Sequence, residues 1–433
     1  MISSYGKIFL KKYNKVNNTD LTPKEFFIDK LVPVFFGARS FMHVQNSTFS
    51  NAAYSKKNVD EKLELFMVKI NNGDTDASML VGGASSSLID STSFNLGFDY
   101  QKPINNDEIY LSWIGQGLSI NFSSGINFLI NNEDILYDVY LGWKRYGELL
   151  YDPLYIKYKD KQISTWNAHW LNNKYDAYGS NKFNPFEEYK EKLKSINWIK
   201  LLFNLSKKYP ETILNAYAYK LGQTNETFNT FVIETKKIGG YLKFCQDYFG
   251  ENEYLTHSSL YETFLGDAYG FNNICKFGSI GMIALKPKLF RLEEKSHKTE
   301  TDVKYIKKTF TSFQKNKELF NIYKTYIMTT LNFKDIESDI IGFAELLYNI
   351  QQKTRKNSHI LIQDIIETKS LTSFLKIFSE ITIFCINENL HDFDDELNKF
   401  MSFILTHEKR VGDVMLFIKA QYYMIILNNN KKL

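Results

Sequence analysis

The chain has 433 residues, of which 44% are hydrophobic and 16% aromatic, and it carries a net charge of +4 at neutral pH. This apolar content excludes intrinsic disorder over most of the length, and the length suffices for two or three domains. The positive charge is small and spread along the chain, so it excludes a strongly basic nucleic-acid-binding domain and leaves only local basic patches.

Proline and glycine divide the chain near residue 287. All 7 prolines and all but two of the 22 glycines come before residue 288, and only Gly342 and Gly412 follow it. Because these residues mark turns and interrupt helices, we predict a turn-rich region over residues 1–287 and a helical bundle over residues 288–433. The predicted fold class is α+β, with a β-rich mixed N-terminal region followed by an all-α C-terminal bundle.

Short apolar runs bounded by Gly, Ser or Asn predict strands in the first region. Several runs alternate apolar and polar side chains, which is typical of a half-buried antiparallel sheet. One of them ends at Asn71-Asn72-Gly73, a signal for a hairpin turn. The predicted strands cover residues 31–36, 63–70, 79–82, 93–98, 109–114 and 118–122.

A helical section is predicted at about residues 185–250, with Pro210 opening its second helix. After residue 300, apolar residues recur at helical spacing in four stretches. Their short connections indicate antiparallel helices packed in a bundle. Asp335 and Ser370 are predicted helix caps, and Gly412 is predicted to break the last stretch.

Two polar, mildly basic patches contain residue types that contact nucleic acid. The first lies between Gly37 and Lys57, and the second is a Lys-Arg pair flanked by Trp143 and Tyr146. Arg, Gln and Asn read base edges, whereas lysines contact phosphates. Both patches also fit ordinary surface segments. The candidate DNA contacts are Arg39, Gln45, Asn46, Lys56, Lys57, Lys144 and Arg145.

Trp166 and Trp170, with Asn167 and His169 between them, form the most distinctive local string. Aromatic faces of this kind stack on bases and would make a binding platform. Tryptophans four residues apart also share one helical face, where they anchor a turn to a core. The sequence favours the core.

No catalytic motif is complete. Glu234-Thr235-Lys236 and Glu367-Thr368-Lys369 match the strand-borne Glu-x-Lys element of metal-dependent nucleases, but neither has a partner aspartate at strand spacing. Glycine-rich pieces at 82–87 and 115–117 complete neither a phosphate loop nor a nucleophile turn. The 7 histidines form no HxH or HExxH pattern. We therefore predict no catalytic residue, no metal and no cofactor.

The spacing of the cysteines and the lengths of the apolar runs indicate where in the cell the protein resides. Cys245, Cys275 and Cys385 are widely spaced with no CxxC pair, which argues against a disulfide framework and a zinc site. The N-terminus lacks the apolar core of a secretory signal. The apolar runs are shorter than the roughly 20 residues that a membrane-spanning helix needs. We expect a cytoplasmic protein without membrane contact.

As a whole, the chain resembles the large subunits of type I CRISPR effector complexes. Those proteins combine an aromatic, irregular, β-rich N-terminal region with a C-terminal helical bundle. The resemblance implies a non-catalytic subunit of an antiviral ribonucleoprotein complex, with other subunits, guide RNA and target DNA as partners. It further implies that the Arg39–Lys57 segment recognises double-stranded DNA beside the protospacer, and that bundle lysines such as Lys307 and Lys308 stabilise the opened strand.

Two alternatives to this reading stay open. One is a nuclease that uses a Glu-x-Lys element, for which Glu234 and Glu367 are the candidates. The other is an assembly scaffold that binds no nucleic acid. A DNA-binding scaffold should show salt-sensitive binding without turnover, whereas a nuclease should cleave in the presence of a divalent cation.

Overall fold

The structure is a computed structural model, and it confirms the α+β class, with predominantly helical structure and a small sheet formed by strands between residues 120 and 280. Contacts divide it into two compact units. The sheet unit contains the described residues of 1–239 and 278–281, and the helical unit those of 240–249 and 282–430. The residues described are 1–37, 41–44, 46–74, 78–82, 105–121, 126–150, 163–176, 198–221, 226–249, 278–294, 297–315, 317–331, 336–354 and 358–430.

The sheet unit contains both the strands and several helices. A π-helical turn at Phe27–Leu31 joins its second and third helices. The strands are β1 (Ile120–Asn121), β2 (Ile126–Ile130), β3 (Leu214–Lys220), β4 (Glu226–Ile233) and β5 (Ser279–Ile280). The helices are α1 (Ile2–Asn17), α2 (Pro23–Phe26), α3 (Val32–Phe36), α4 (Val59–Asn71), α5 (Asn106–Gly117), α6 (Glu133–Leu150), α7 (Ile163–Tyr175), α8 (Trp198–Lys208) and the start of α9 (Thr235–Phe249).

The sheet has the strand order β1-β2-β3-β4-β5 among the described residues. The first four strands pair antiparallel with their neighbours, and β5 pairs parallel with β4. All five residues of β2 are buried, so this strand is covered on both faces. The Tyr219 hydroxyl of β3 donates to Gln116 Oε1 of α5 at 2.6 Å, which fixes the sheet against that helix.

Aromatic side chains fill the core of the sheet unit. Trp113 and Trp143 are fully buried, and both pack against phenylalanine rings. Edge-to-face contacts recur among these rings, which is the arrangement that the aromatic quadrupole favours. Much of the aromatic content of the sequence is therefore structural.

Several strand predictions in this unit are wrong. Residues 31–36, 63–70 and 109–114 lie in helices. The first and last of these runs are largely buried, whereas α4 buries only Phe66 and Ile70, and short apolar runs of both kinds fit a helix as well as a strand. Asn58 and Asn105 cap the helices that hold the last two runs. Residues 79–82 form a turn. In the run at 118–122, strand is limited to β1, and residues 93–98 lie outside the described ranges.

The helical section predicted at 185–250 is correct only in part. α8 and α9 lie within it, but β3 and β4 form a hairpin between them. Pro210 therefore precedes a strand rather than opening a helix. Ala and Tyr alternate along β3, and four successive residues of this strand are buried. Both faces of the strand are therefore covered, and a short run of this kind fits a buried strand.

The helical unit confirms the predicted helical C-terminal region. Ser370 caps a helix as predicted, because its hydroxyl accepts from the Ser373 N–H at 3.3 Å, whereas Asp335 lies outside the described residues. The break in the last stretch lies at 407–410, just before Gly412. The helices are α10 (Lys288–Glu294), α11 (Glu300–Lys315), α12 (Lys317–Leu331), α13 (Ile336–Thr354), α14 (His359–Ile366), α15 (Leu371–Asn387), α16 (Asp394–Thr406) and α17 (Val411–Asn430).

Candidate functional site

An ionic cluster lies inside the helical unit, and we define it as Glu293, Lys298, Glu367 and Lys419. The Lys419 ammonium lies 2.6 Å from Glu367 Oε1 and 3.4 Å from Glu293 Oε2. Lys298 Nζ contacts the same oxygen of Glu293 at 3.2 Å. The side chains of Lys419 and Glu293 are only 5% and 7% exposed, so their charges are stabilised by each other rather than by water.

The cluster forms because α17 is the central helix of this unit. Residues 414–422 are all buried, which carries Lys419 into the interior. α10 and the end of α14 both contact α17. Glu293 lies in the last turn of α10 and Glu367 directly follows α14, so these contacts bring two carboxylates to one ammonium group.

Glu293 has an oxygen without a hydrogen-bond partner among the described residues. Its Oε1 atom is buried and makes no hydrogen bond there, although both lysines of the cluster contact Oε2. A buried carboxylate oxygen left in this state costs free energy. Such atoms commonly mark a place where water, an ion or a ligand binds.

Two surface cavities meet at Glu293 and Glu367. The larger, which we call the α11 groove, has a volume of about 510 Å³ and is lined by apolar side chains together with Lys298, Lys307 and Lys419. The smaller, of about 330 Å³, is lined by three basic and three acidic side chains. The α11 groove carries three lysines against two carboxylates, so it is the more attractive to an anion.

The α11 groove is bounded on one side by Lys307, which is a predicted contact residue. Lys307 and Lys308 are both exposed on α11. Within the described residues, no carboxylate lies within ion-pairing distance of either ammonium group. Lys304, one turn earlier, is by contrast paired with Glu300 at 2.7 Å. The structure thus places Lys307 in the groove and Lys308 beside it on the same helix.

The predicted N-terminal patch is described only in part. Arg39 and Gln45 lie outside the described residues. Asn46 is exposed with a φ of 63°, a left-handed conformation that asparagine tolerates, and Lys56 and Lys57 are exposed before α4. Much of the surrounding segment is core rather than loop surface, since its buried residues are Phe41, Met42, Val44, Ser47, Thr48 and Phe49.

The second predicted patch lies on α6. Lys144 is exposed, and Arg145 is half-buried with its guanidinium 2.8 Å from Glu148. The flanking Trp143 and Tyr146 are fully buried, so they are not free to stack on a ligand. Lys144 remains as the exposed basic group of this patch.

The tryptophan string is part of the core. Trp166 and Asn167 are buried in α7, and the Asn167 amide donates to the Gly117 and Ser119 carbonyl oxygens at 2.8 and 2.7 Å. The Trp170 indole N–H donates to the Asp138 carbonyl oxygen at 2.7 Å. The Asn167 bonds tie α7 to the end of α5 and the segment before β1, and the Trp170 bond ties it to α6, which agrees with the favoured structural interpretation.

The two Glu-x-Lys matches do not form strand-borne nuclease elements. Glu234 follows β4 and pairs with Lys237, whereas Lys236 pairs with Glu211. Glu367 follows a helix, not a strand, and its carboxylate contacts Lys419. Over the ranges that the structure describes, no group of three or more His, Cys, Asp or Glu side chains is placed to hold a metal ion.

Sequence reasoning missed Glu293, Lys298 and Lys419. The available signal was the lysine at 419, which interrupts a run of apolar residues in α17. A charge at such a position requires a partner if the helix is buried. The identity of that partner was not accessible, because Glu293 lies 126 residues away in the chain.

Comparisons with family models, with curated proteins and with solved structures found no match to this chain. In the part of the chain that the structure describes, no helix is both long and apolar enough to cross a membrane.

Proposed function

We propose that the protein binds nucleic acid without acting on it chemically, and that α11 supplies phosphate contacts. The observation that carries this proposal is the exposed pair Lys307 and Lys308, for which the described residues provide no carboxylate partner. An ammonium group that no carboxylate neutralises attracts the phosphate backbone and releases its counterions.

The finer assignment follows the resemblance to CRISPR large subunits. In this proposal the protein belongs to an antiviral effector complex with guide RNA and other subunits. The segment from Arg39 to Lys57 contacts duplex DNA beside the protospacer, and α11 holds the opened strand. The exposure of Asn46, Lys56 and Lys57 is compatible with such contacts.

The double variant Lys307→Gln/Lys308→Gln tests the phosphate contacts. If both lysines contact phosphates of a single strand, the slope of log affinity against log salt should become shallower by about 1.4, since each contact contributes about 0.7. Binding should weaken equally for all sequences because phosphates carry no sequence information. Fluorescence anisotropy with labelled single-stranded DNA over a salt series measures both effects.

Lys376→Glu is the matched control, because it lowers the net charge by the same two units at an exposed position of α15. It should leave the salt slope unchanged. Equal slopes for the wild type and the double variant would show that α11 makes no phosphate contact. Divalent-dependent cleavage lost in Glu234→Ala would instead support the nuclease alternative.

A further inference from the structure

The α11 groove has the dimensions and lining of a small-ligand site. Its volume of about 510 Å³ lies within the range of roughly 300–1,000 Å³ that such sites occupy. Val303, Ile306 and Tyr423 provide apolar and aromatic surface, while the ionic cluster provides charge. This combination suits a flat, polar-edged ring system that carries a negative group.

The Glu293 carboxylate requires a hydrogen-bond donor on the edge of such a ring. Its unpartnered Oε1 is a carboxylate oxygen and therefore only accepts hydrogen bonds. Lys298 and Lys419 both contact Oε2, and no described group donates to Oε1, so this buried oxygen can accept from an N–H group once the Glu293 side chain turns toward the groove. A ring bearing a carbonyl oxygen at that position would meet a carboxylate and be repelled.

Tyr423 also lines the groove. Its hydroxyl donates to Gln363 Oε1 at 3.2 Å, which holds the phenol in place. Burial raises the pKa of the Tyr423 phenol, a rise that the nearby Lys419 ammonium partly opposes, so the ring stays neutral at physiological pH. A neutral aromatic ring offers apolar surface to a base at a contribution of roughly 1–3 kcal/mol per stacked base.

We propose that the α11 groove receives one nucleobase of a bound single strand, and that this base carries an exocyclic amino group. The amino group donates to Glu293 Oε1, and the phosphate of the same nucleotide contacts Lys307. The inference rests on the proposed function, since it assumes that α11 contacts a strand. It adds a preference for amino-bearing bases that phosphate contacts alone do not produce.

Oligodeoxycytidylate and oligodeoxyuridylate of equal length provide the sharpest comparison. Cytosine and uracil have the same size, but only cytosine carries the exocyclic amine. The wild-type protein should bind the cytidylate at least about tenfold more tightly, which corresponds to about 1.4 kcal/mol. In Glu293→Gln the preference should disappear, because an amide can donate to uracil as well as accept from cytosine.

Val303→Trp provides a second test that leaves the ionic cluster intact. Val303 is 38% exposed, so a larger side chain can be accommodated at this position while it fills the groove. The variant should lose the preference for cytidylate and keep the salt-dependent affinity supplied by Lys307 and Lys308. Thermal unfolding of both variants shows whether they are folded when binding is measured.

The outcomes separate this inference from the proposed function. Equal affinity of the wild type for the two oligonucleotides, with a normal salt slope, would overturn the base site and leave phosphate binding intact. A cytidylate preference that survives Val303→Trp in a folded protein would also overturn it. Absence of binding to either oligonucleotide at low salt would remove both proposals.

Discussion

The Lys419→Met variant should unfold more easily than the wild type by about 3 kcal/mol. Removing one partner of a buried ion pair costs roughly 3–5 kcal/mol, because the remaining charge is left in a medium that solvates it poorly. The lower end applies here, since Glu293 keeps Lys298 at 3.2 Å and Glu367 is 45% exposed. Methionine preserves much of the length of the side chain, so the packing of α17 changes little.

A double-mutant cycle tests whether this loss of stability comes from the unpaired Glu293 carboxylate. Adding Glu293→Leu to Lys419→Met removes the stranded carboxylate, so the double variant should be more stable than the sum of the single changes predicts. Lys399→Met is the control for removal of a surface ion pair with Asp339, and it should cost at most about 1 kcal/mol.

Chemical denaturation followed by far-ultraviolet circular dichroism measures these free energies, since the helical unit contains no tryptophan. Additive effects of Lys419→Met and Glu293→Leu would show that the two charges do not stabilise each other.

The helical region could be predicted because its sequence has a single, consistent helical pattern. Between residues 288 and 430 few residues interrupt a helix, and apolar side chains recur at helical spacing. The strands of the first region could not be assigned in the same way. Residues 109–114 are apolar nearly all round because α5 is buried on every side, and a short apolar run of this kind fits a strand and a buried helix equally well.

Of the residues that line the α11 groove, the sequence predicted the exposed Lys307 as a nucleic-acid contact but not the buried Glu293 and Lys419. The resemblance to CRISPR large subunits predicts Lys307 as a contact to the opened strand, and Lys307 lines the α11 groove. Glu293 and Lys419 depend on three segments that meet only after folding. Nothing local in the sequence distinguishes Glu293 from a solvated glutamate at the end of a helix.

The largest destabilisation by a single added methyl group is expected for Gly6→Ala in the sheet unit. A Cβ atom at residue 6 would lie 2.1 Å from the Leu111 carbonyl oxygen of α5, a separation at which backbone must move. The facing residue repeats this geometry, because a Cβ atom on Gly115 would lie 2.4 Å from the Ile2 carbonyl oxygen of α1. Both obstacles are backbone atoms, which cannot rotate away as a side chain can. Overpacking costs about 1–3 kcal/mol, and we expect the upper end here.

The same substitution at Gly147 of α6 should have the opposite sign. No described atom lies within 4 Å of a Cβ placed there, and alanine is favoured over glycine inside a helix by about 0.5–1 kcal/mol. All 5 tryptophans belong to the sheet unit, so denaturation followed by tryptophan fluorescence reports on both variants. If Gly6→Ala and Gly147→Ala unfolded at the same denaturant concentration, α1 and α5 would not cross at backbone contact. A loss for Gly6→Ala alone places the two glycines at the crossing, where no larger residue fits.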